Sequence, residues 1–141
     1  MKTETTTTTT ATRKMRTLIV DDQVIQREVI RLLLRHESDI EIVGTSENGR
    51  EAVASIQKLN PDLVFMDVQM PELDGFGVVS EIGQEHMPNF IFVTANESLA
   101  DRASAVHAVD YLLKPCTKAR FQCALQRARE KFQNRSITAT S

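Results

Sequence analysis

Five short apolar runs, each followed by a segment with helical periodicity, constrain the fold of this chain more than any other feature. The runs lie at residues 18–20, 40–43, 63–66, 90–93 and 109–113. Apolar residues then recur at helical spacing in segments near residues 25–33, 50–59, 74–82, 99–106 and 121–132. Uninterrupted apolar strands that alternate with helices are typical of a parallel sheet with helices on both faces, joined by right-handed crossovers. The sequence therefore predicts an α/β fold of five strand–helix units.

The first and last predicted helices have the clearest patterns. In the first helix the residues that recur at helical spacing are Ile25, Val29, Leu32 and Leu33. In the last helix one face is lined by Phe121, Ala124, Leu125, Ala128 and Phe132. Thr117 precedes that helix and is a candidate N-terminal cap, because a threonine hydroxyl can accept a hydrogen bond from a free helix N–H group.

The two ends of the chain differ from the part between them. Residues 1–14 contain an unbroken threonine run and no recurring apolar residues, so we expect a disordered tail. Residues 136–141 are expected to form a flexible C-terminal end. The folded domain is therefore predicted to span residues 15–135.

Composition excludes several classes of protein. The 141 residues suffice for one domain, and a net charge of −2 gives the whole chain no basic footprint for nucleic acid. No apolar stretch is long enough for a membrane span, and the N-terminus lacks the apolar core of a signal peptide. The two cysteines, Cys116 and Cys123, lack the CxxC spacing and are expected to be reduced. These features favour a cytoplasmic protein.

Polar residues follow four of the predicted strands at the point where each strand ends. Asp21 and Asp22 follow the first strand, Asp67 the third, Thr94 the fourth and Lys114 the fifth. In an open parallel sheet, ligands bind outside the carboxyl ends of the strands. We therefore expect these five side chains to converge at one edge of the sheet.

This combination of side chains favours phosphoryl transfer. Clustered carboxylates repel one another unless a cation compensates, and a few carboxylate oxygens suit Mg²⁺, which often bridges to a phosphate. Lys114 offers a point charge for a phosphoryl oxygen, Thr94 offers a hydroxyl donor, and a carboxylate can itself act as the nucleophile. Catalysis of this kind depends mainly on positioning and charge neutralisation.

Four motifs, in this order, resemble the receiver domain of bacterial two-component response regulators. They are Leu18-Ile19-Val20-Asp21-Asp22, then Asp67-Val68-Gln69-Met70-Pro71 with Asp74-Gly75, then Thr94-Ala95, then Tyr111-Leu112-Leu113-Lys114-Pro115. The resemblance covers residues 16–133 and implies the flavodoxin-like (βα)5 fold, a doubly wound parallel sheet with strand order 2-1-3-4-5.

The resemblance also implies a phosphoacceptor and a metal site. Asp67 matches the aspartate that accepts phosphate from a histidine kinase. Asp22 matches the direct Mg²⁺ ligand, Asp21 acts largely through water, and the carboxylate of Asp67 and the backbone oxygen of Gln69 complete the protein ligands. Lys114 is expected to bind the phosphoryl group. The chain would then be a signalling domain that catalyses its own phosphorylation and dephosphorylation, and not a conventional enzyme.

The resemblance to the receiver family also implies a conformational switch that responds to phosphorylation. Thr94 is expected to move toward the phosphoryl group, and Tyr111 to turn inward behind it. The Lys114–Pro115 peptide bond is expected to be cis. Gln69 and Asn96 occupy the two variable positions that tune phosphate lifetime in the family. The added charge biases an equilibrium between two existing states, and the face most expected to change comprises the fourth helix, the fifth strand and the fifth helix.

The expected partners are a sensor histidine kinase and, through that face, a second copy of the chain or another protein. The sequence from Tyr111 to Ala128 also resembles receivers that carry a LytTR-type DNA-binding domain, so contact with DNA would require an output domain that this chain lacks. A stand-alone regulator and a phosphate relay or sink remain open. A flavodoxin-like enzyme or cofactor-binding protein is a rival reading, but the loop after the first strand, Asp21-Asp22-Gln23-Val24, lacks the glycines or hydroxyls that cradle a phosphate-bearing cofactor.

Overall fold

The computed structural model describes residues 13–106 and 108–140. The strands are β1 Met15–Val20, β2 Ile40–Ser46, β3 Leu63–Asp67, β4 Asn89–Thr94 and β5 Asp110–Leu113. The helices are α1 Val24–Leu34, α2 Gly49–Leu59, α3 Gly75–Ile82, α4 Ala100–Ala105 and α5 Lys118–Thr140. Short 3₁₀ turns at Gln84–His86 and Glu97–Leu99 precede β4 and α4. All five predicted strand–helix units are present.

The five strands form one parallel sheet in the order β2-β1-β3-β4-β5. This is the flavodoxin-like order, and it confirms the fold expected from the sequence. The chain runs from β1 outward to β2, then crosses to β3 on the other side of β1. The strand order therefore reverses between β1 and β3, which is where an open α/β sheet forms its ligand crevice.

The alternation of side chains along β3 explains why its sequence is apolar from Leu63 to Met66. All five of its residues are buried. Val64 and Met66 belong to the core under α2 and α3, whereas Leu63 and Phe65 belong to the core under α1 and α5. Since successive side chains of a strand point to opposite faces, a strand covered on both sides needs apolar residues at every position.

The two cores are closed by aromatic packing. The ring of Phe65 stacks on that of Phe121 from α5, with centroids 5.3 Å apart. On the other face the rings of Phe76 and Phe92 lie 5.0 Å apart. These contacts attach α5 and α3 to the central strands β3 and β4, which end in Asp67 and Thr94.

Helix α1 does not bury the apolar stripe that its periodicity suggests. The exposed fractions of Ile25, Val29 and Leu32 are 67%, 41% and 57%, whereas Ile30 and Leu34 are buried and the predicted Leu33 packs partly buried against the same core. The helix carries apolar residues on two adjacent stripes, and helical spacing alone does not say which stripe faces the sheet. An apolar surface therefore remains exposed on α1.

Local hydrogen bonds define the helix starts. The hydroxyl of Thr117 accepts a hydrogen bond from the Arg120 N–H at 3.1 Å, which confirms the predicted cap of α5. The carboxylate of Asp74 accepts one from the Gly77 N–H at 2.8 Å and caps α3 in the same way.

The ends of the chain bear on the predicted domain limits. The backbone of α5 is helical through Thr140, and residue 141 lies outside the described residues, so the flexibility expected for residues 136–141 stays a prediction. Residues 1–12 of the predicted tail lie outside the described residues, and the limits of the domain stay a prediction. Within the described ranges, no helix is both long and apolar enough to cross a membrane.

Candidate functional site

The carboxyl ends of β1, β3, β4 and β5 bring the predicted polar residues to one edge of the sheet. Strand β3 pairs with β1 on one side and β4 on the other, and β4 pairs with β5. Asp67 ends β3 and Thr94 ends β4, whereas Asp21 and Lys114 directly follow β1 and β5. The register of the sheet therefore places side chains that are distant in sequence around the central carboxylate.

Three carboxylates lie close together at this edge. Asp21, Asp22 and Asp67 each offer an oxygen within 4.8 Å of the others. Asp21 and Asp67 are each only 4% exposed, whereas Asp22 faces solvent. Oxygen atoms at this spacing, two of them from buried acids, fit a small hard cation such as Mg²⁺, which prefers oxygen ligands and retains several waters.

The Lys114 side chain reaches into this acid cluster. Its Nζ atom lies 2.9 Å from Oδ2 of Asp21 and 3.5 Å from Oδ1 of Asp67. The side chain of Lys114 is only 18% exposed, so its charge is screened less by water than that of a fully exposed surface lysine. The following Lys114–Pro115 peptide bond is cis, as expected.

The environment of Asp67 raises its pKa to about 6. Burial is the largest cause, because it disfavours the charged carboxylate, and the neighbouring charge of Asp21 acts in the same direction. The positive charge of Lys114 and a hydrogen bond from the Gln69 N–H to Oδ1 of Asp67, at 3.3 Å, oppose the shift. The charged form of Asp67 is therefore disfavoured mainly by burial and further by the neighbouring acids, and a bound cation would favour it.

Hydrogen bonds from the start of α1 fix the orientation of Asp21. Its carboxylate accepts a hydrogen bond from the Gln23 N–H at 3.0 Å. The Arg27 guanidinium donates to the backbone oxygen of Asp21 at 2.8 Å. The loop that carries Asp21 and Asp22 is thus held against α1.

A glycine allows α3 to approach the end of β3. The N–H of Gly75 donates to the Val68 backbone oxygen at 2.8 Å. A Cβ atom at position 75 would lie 2.9 Å from the backbone oxygen of Asp67 and 3.1 Å from Cα of Val68. Because both of these are backbone atoms, a side chain here would push on the segment that carries Asp67. This contact gives a physical reason for the glycine in the Asp74-Gly75 motif.

An open pocket of about 420 Å³ lies over the acid cluster. It is lined by Asp22, Gln23, Gln26, Asp67, Gln69, Ala95, Lys114 and Pro115. The arrangement offers a carboxylate nucleophile, a cation site and an ammonium group around a space that opens to solvent. Those are the elements that transfer of a phosphoryl group to a carboxylate needs.

Comparison with known proteins agrees with this geometry. The family profile described as the response regulator receiver domain matches residues 17–126. The chain belongs to the response regulator receiver family. Its predicted assignment to that family is confirmed, whereas the LytTR subtype is not decided by this match.

Relatives and solved structures extend the comparison. The chain is 40% identical over 124 residues to the transcriptional regulatory protein BtsR of Escherichia coli (strain K12), a match that covers 88% of this chain and 52% of BtsR. The REC domain of AraT, a response regulator from Geobacillus stearothermophilus, is similar with a TM-score of 0.79 and 29% identity, covering 86% of this chain and 98% of that one. The CheX–CheY–BeF3–Mg²⁺ complex from Borrelia burgdorferi matches with a TM-score of 0.72 and 27% identity, covering 85% and 90%. The receiver therefore spans about half the length of the curated relative.

The residues predicted to form the switch or to tune phosphate lifetime occupy different environments. Thr94 is 1% exposed, and its hydroxyl contacts the Gln69 side chain at 3.3 Å. Tyr111 is half-buried on β5 and packs against the core under α2 and α3. Asn96 caps the 3₁₀ turn after β4 by accepting a hydrogen bond from the Ser98 N–H.

Sequence reasoning missed several residues of the pocket. Gln23 and Gln26 line it from the start of α1, and Arg27 supports the loop below it. Their signal in the sequence was weak, since polar residues in the first turn of a surface helix are common. Only their position directly after the Asp21-Asp22 pair could have indicated a role.

Proposed function

We propose that this receiver domain accepts a phosphoryl group on Asp67 from the phosphohistidine of a sensor histidine kinase, in a Mg²⁺-dependent reaction. The observation that carries the proposal is the position of Nζ of Lys114, 3.5 Å from the Asp67 carboxylate and within the cluster of three acids. A structural aspartate at a strand end would need neither a partly buried ammonium nor two further carboxylates beside it.

The residues present fit a magnesium ion. Asp22, Asp67 and the backbone oxygen of Gln69 would hold it, with Asp21 acting through water. The ion would neutralise the acid cluster and bind an oxygen of the incoming phosphoryl group. The similar Borrelia burgdorferi complex contains Mg²⁺, which supports the choice of metal.

The side chains of this chain would carry out the transfer. A carboxylate oxygen of Asp67 attacks phosphorus, the O–P bond forms as the N–P bond to the kinase histidine breaks, and the histidine nitrogen leaves with its electron pair. Lys114 would bind a phosphoryl oxygen, and its positive charge would offset the negative charge of the phosphoryl group and of Asp67. Water attack on the aspartyl phosphate later returns the carboxylate and releases phosphate.

The exposed apolar surface of α1 supports a protein partner beside the pocket. Val24, Ile25, Val29 and Leu32 are 41–67% exposed, and Gln23 and Gln26 of the same segment line the pocket. A kinase that brings its phosphohistidine to Asp67 must approach this side of the domain. Contiguous exposed apolar surface marks protein contact sites, and an apolar helix stripe suits packing against a partner helix.

Ile25→Ser or Val29→Ser should therefore slow phosphotransfer from the kinase but leave phosphorylation by acetyl phosphate unchanged. Loss of buried apolar contact of about 1.5 kcal/mol or more should slow phosphotransfer at least about tenfold. The measurement uses the purified histidine kinase, chosen from a panel, that transfers fastest to the wild type. Acetyl phosphate provides the comparison reaction, and Ala54→Ser on the exposed side of α2 is the control. Equal slowing with both phosphodonors would place the defect in the pocket and not at a docking surface.

The face formed by α4, β5 and α5 is proposed to carry the signal onward, through a homodimer or another protein. Asp110 at the start of β5 binds Arg120 of α5 at 2.7 Å and Arg127 at 3.1 Å. Burial opposes ionisation of Asp110, but hydrogen bonds from Arg120 outweigh it and lower the pKa of that carboxyl. Arg120 also donates to the backbone oxygen of Tyr111 at 2.9 Å. A movement of Tyr111 would thus be transmitted to α5.

The output of the whole protein is a separate proposal. Since the chain covers 52% of BtsR, a transcriptional regulatory protein, we propose that the receiver controls transcription through a further domain of a longer parent, of LytTR type. Contact with DNA would belong to that domain. The proposed location is the cytoplasm.

Incubation with acetyl phosphate tests the chemistry. We expect the intact mass to increase by one phosphoryl group when Mg²⁺ is present, and no increase when the metal is chelated or when Asp67 is replaced by asparagine. Gel filtration of the same samples should show a smaller elution volume for the phosphorylated protein if the α4–β5–α5 face forms a dimer.

Each readout can contradict a different part of the proposal. A mass gain that persists in Asp67→Asn would assign the phosphoryl group to another residue. A gain that is equal with and without metal would remove the Mg²⁺ site. An unchanged elution volume in fully phosphorylated protein would remove the homodimer and leave the phosphoacceptor in place.

A further inference from the structure

The hydroxyl of Thr94 takes part in two hydrogen bonds, one as acceptor and one as donor. It accepts from the Asn96 N–H at 3.1 Å. It donates to the carbonyl oxygen Oε1 of the Gln69 side chain at 3.3 Å. A threonine hydroxyl has a single hydrogen to donate, so the bond to Gln69 uses all of its donor capacity.

The Gln69 residue contacts both the acceptor and the switch hydroxyl. Its backbone N–H donates to Oδ1 of Asp67 at 3.3 Å, whereas its side-chain oxygen receives the Thr94 hydrogen. Thr94 is 1% exposed and the Gln69 residue is largely exposed. One residue therefore joins the carboxylate that ends β3 to the hydroxyl that ends β4.

We infer that Gln69 is a positioning residue. Its side-chain carboxamide holds the Thr94 hydroxyl in the arrangement found before Asp67 is phosphorylated. The inference rests on the proposed function, in which Thr94 moves to donate its hydrogen to a phosphoryl oxygen on Asp67. The Gln69 oxygen and the phosphoryl oxygen then compete for the same hydrogen. A phosphoryl group also replaces the free carboxylate to which the Gln69 N–H donates, so phosphorylation perturbs the residue that holds the switch.

The first arm of the test uses unphosphorylated, metal-free protein and so does not depend on phosphorylation. Gln69→Met keeps a side chain of similar length but removes the carbonyl acceptor, whereas Gln69→Glu keeps an acceptor oxygen at that position. We expect a single Thr94 χ1 rotamer in the wild type and in Gln69→Glu, and averaging between rotamers in Gln69→Met. Three-bond couplings to the Thr94 methyl carbon measure this directly.

The matched control is Gln26→Met, since Gln26 lines the same pocket from α1. Its Thr94 couplings should equal those of the wild type. A single Thr94 rotamer in Gln69→Met would overturn the inference, because another contact would then hold the hydroxyl. Averaging in both methionine variants would also overturn it, because the effect would not be specific to Gln69.

The second arm measures the switch under acetyl phosphate and Mg²⁺. Tyr111 is the only tyrosine and the chain has no tryptophan, so intrinsic fluorescence reports on Tyr111 alone. The two proteins are compared at equal phosphorylation, measured by mass. The ratio of switched to unswitched molecules, measured by Tyr111 fluorescence, should be about two- to tenfold higher in Gln69→Met than in the wild type, because the variant lacks one neutral hydrogen bond that holds the unswitched state. An equal ratio would overturn the inference. If the wild type gains no mass, the proposed function fails, and the rotamer result of the first arm still decides whether Gln69 holds Thr94.

Discussion

Replacing Asp67 with asparagine is expected to stabilise the metal-free domain at neutral pH by up to about 3 kcal/mol, although it removes the proposed phosphoacceptor. Folding raises the pKa of this carboxyl from 3.8 to about 6, through burial and the neighbouring charge of Asp21. The folded state therefore binds the proton more tightly than the unfolded state. Above pH 6 the domain carries the full cost of a buried, repelled carboxylate, and an amide of the same shape avoids that cost.

The sign of the pH dependence follows from the raised pKa. The stability contributed by the protonated carboxyl is fully present below pH 4 and is lost as the pH rises through about 6. The advantage of Asp67→Asn over the wild type should therefore be small near pH 4 and largest above pH 6. Urea unfolding in the presence of a chelator, at intervals between these values, measures it.

A charge-matched control and a metal titration complete this experiment. Glu130→Gln removes an exposed carboxylate from α5 and should change the unfolding free energy by less than about 0.5 kcal/mol at every pH. Saturating Mg²⁺ should stabilise the wild type more than Asp67→Asn, because a ligand that binds only the folded state adds to its stability. A difference between wild type and variant that did not change with pH would contradict the proposed environment of Asp67.

The second large effect is expected for Lys114→Met. The substitution removes the ammonium 2.9 Å from Asp21 and 3.5 Å from Asp67, while keeping an unbranched side chain in the pocket. A hydrogen bond that involves a charged group contributes about 1.5–3 kcal/mol, so phosphorylation by acetyl phosphate should slow by about ten- to a hundredfold. The rate of mass gain at fixed Mg²⁺ and pH measures this loss.

The same variant should shift the titration of the acceptor. Since the charge of Lys114 lowers the pKa of Asp67, its removal should raise that pKa above its wild-type value of about 6. Carboxyl ¹³C resonances of the metal-free protein would report the shift. Lys118→Met, an exposed lysine at the start of α5, is the matched control and should change neither rate nor titration. Unaltered phosphorylation in Lys114→Met would remove the lysine from the proposed reaction.

The positions of the strands could be predicted because burial on both faces leaves a direct mark in the sequence. Every residue of β3 is buried, so its apolar run has no polar interruption before Asp67. The convergence of Asp21, Asp22, Asp67 and Lys114 could be predicted for a related reason. Parallel strands bring their carboxyl ends to one edge, so polar residues that follow separate strands must meet there.

The orientation of α1 could not be read from periodicity. Ile25 and Val29 lie on one apolar stripe and Ile30 and Leu34 on the next, and both stripes satisfy helical spacing. Only the packing of the helix on the sheet decided that the second stripe is buried and the first is exposed. The consequence for function is large, because the exposed stripe is the surface proposed to meet the kinase.

The α/β architecture, the family and the set of polar residues at the sheet edge could all be inferred from the amino-acid sequence, because they depend on local patterns and on strand ends. The tertiary structure alone decided which of those residues touch: Lys114 lies nearer to Asp21 than to Asp67, and Thr94 donates its hydrogen to Gln69. Such contacts join residues 25 to 93 positions apart. They depend on side-chain orientation within a packed edge, which no periodicity in the sequence encodes.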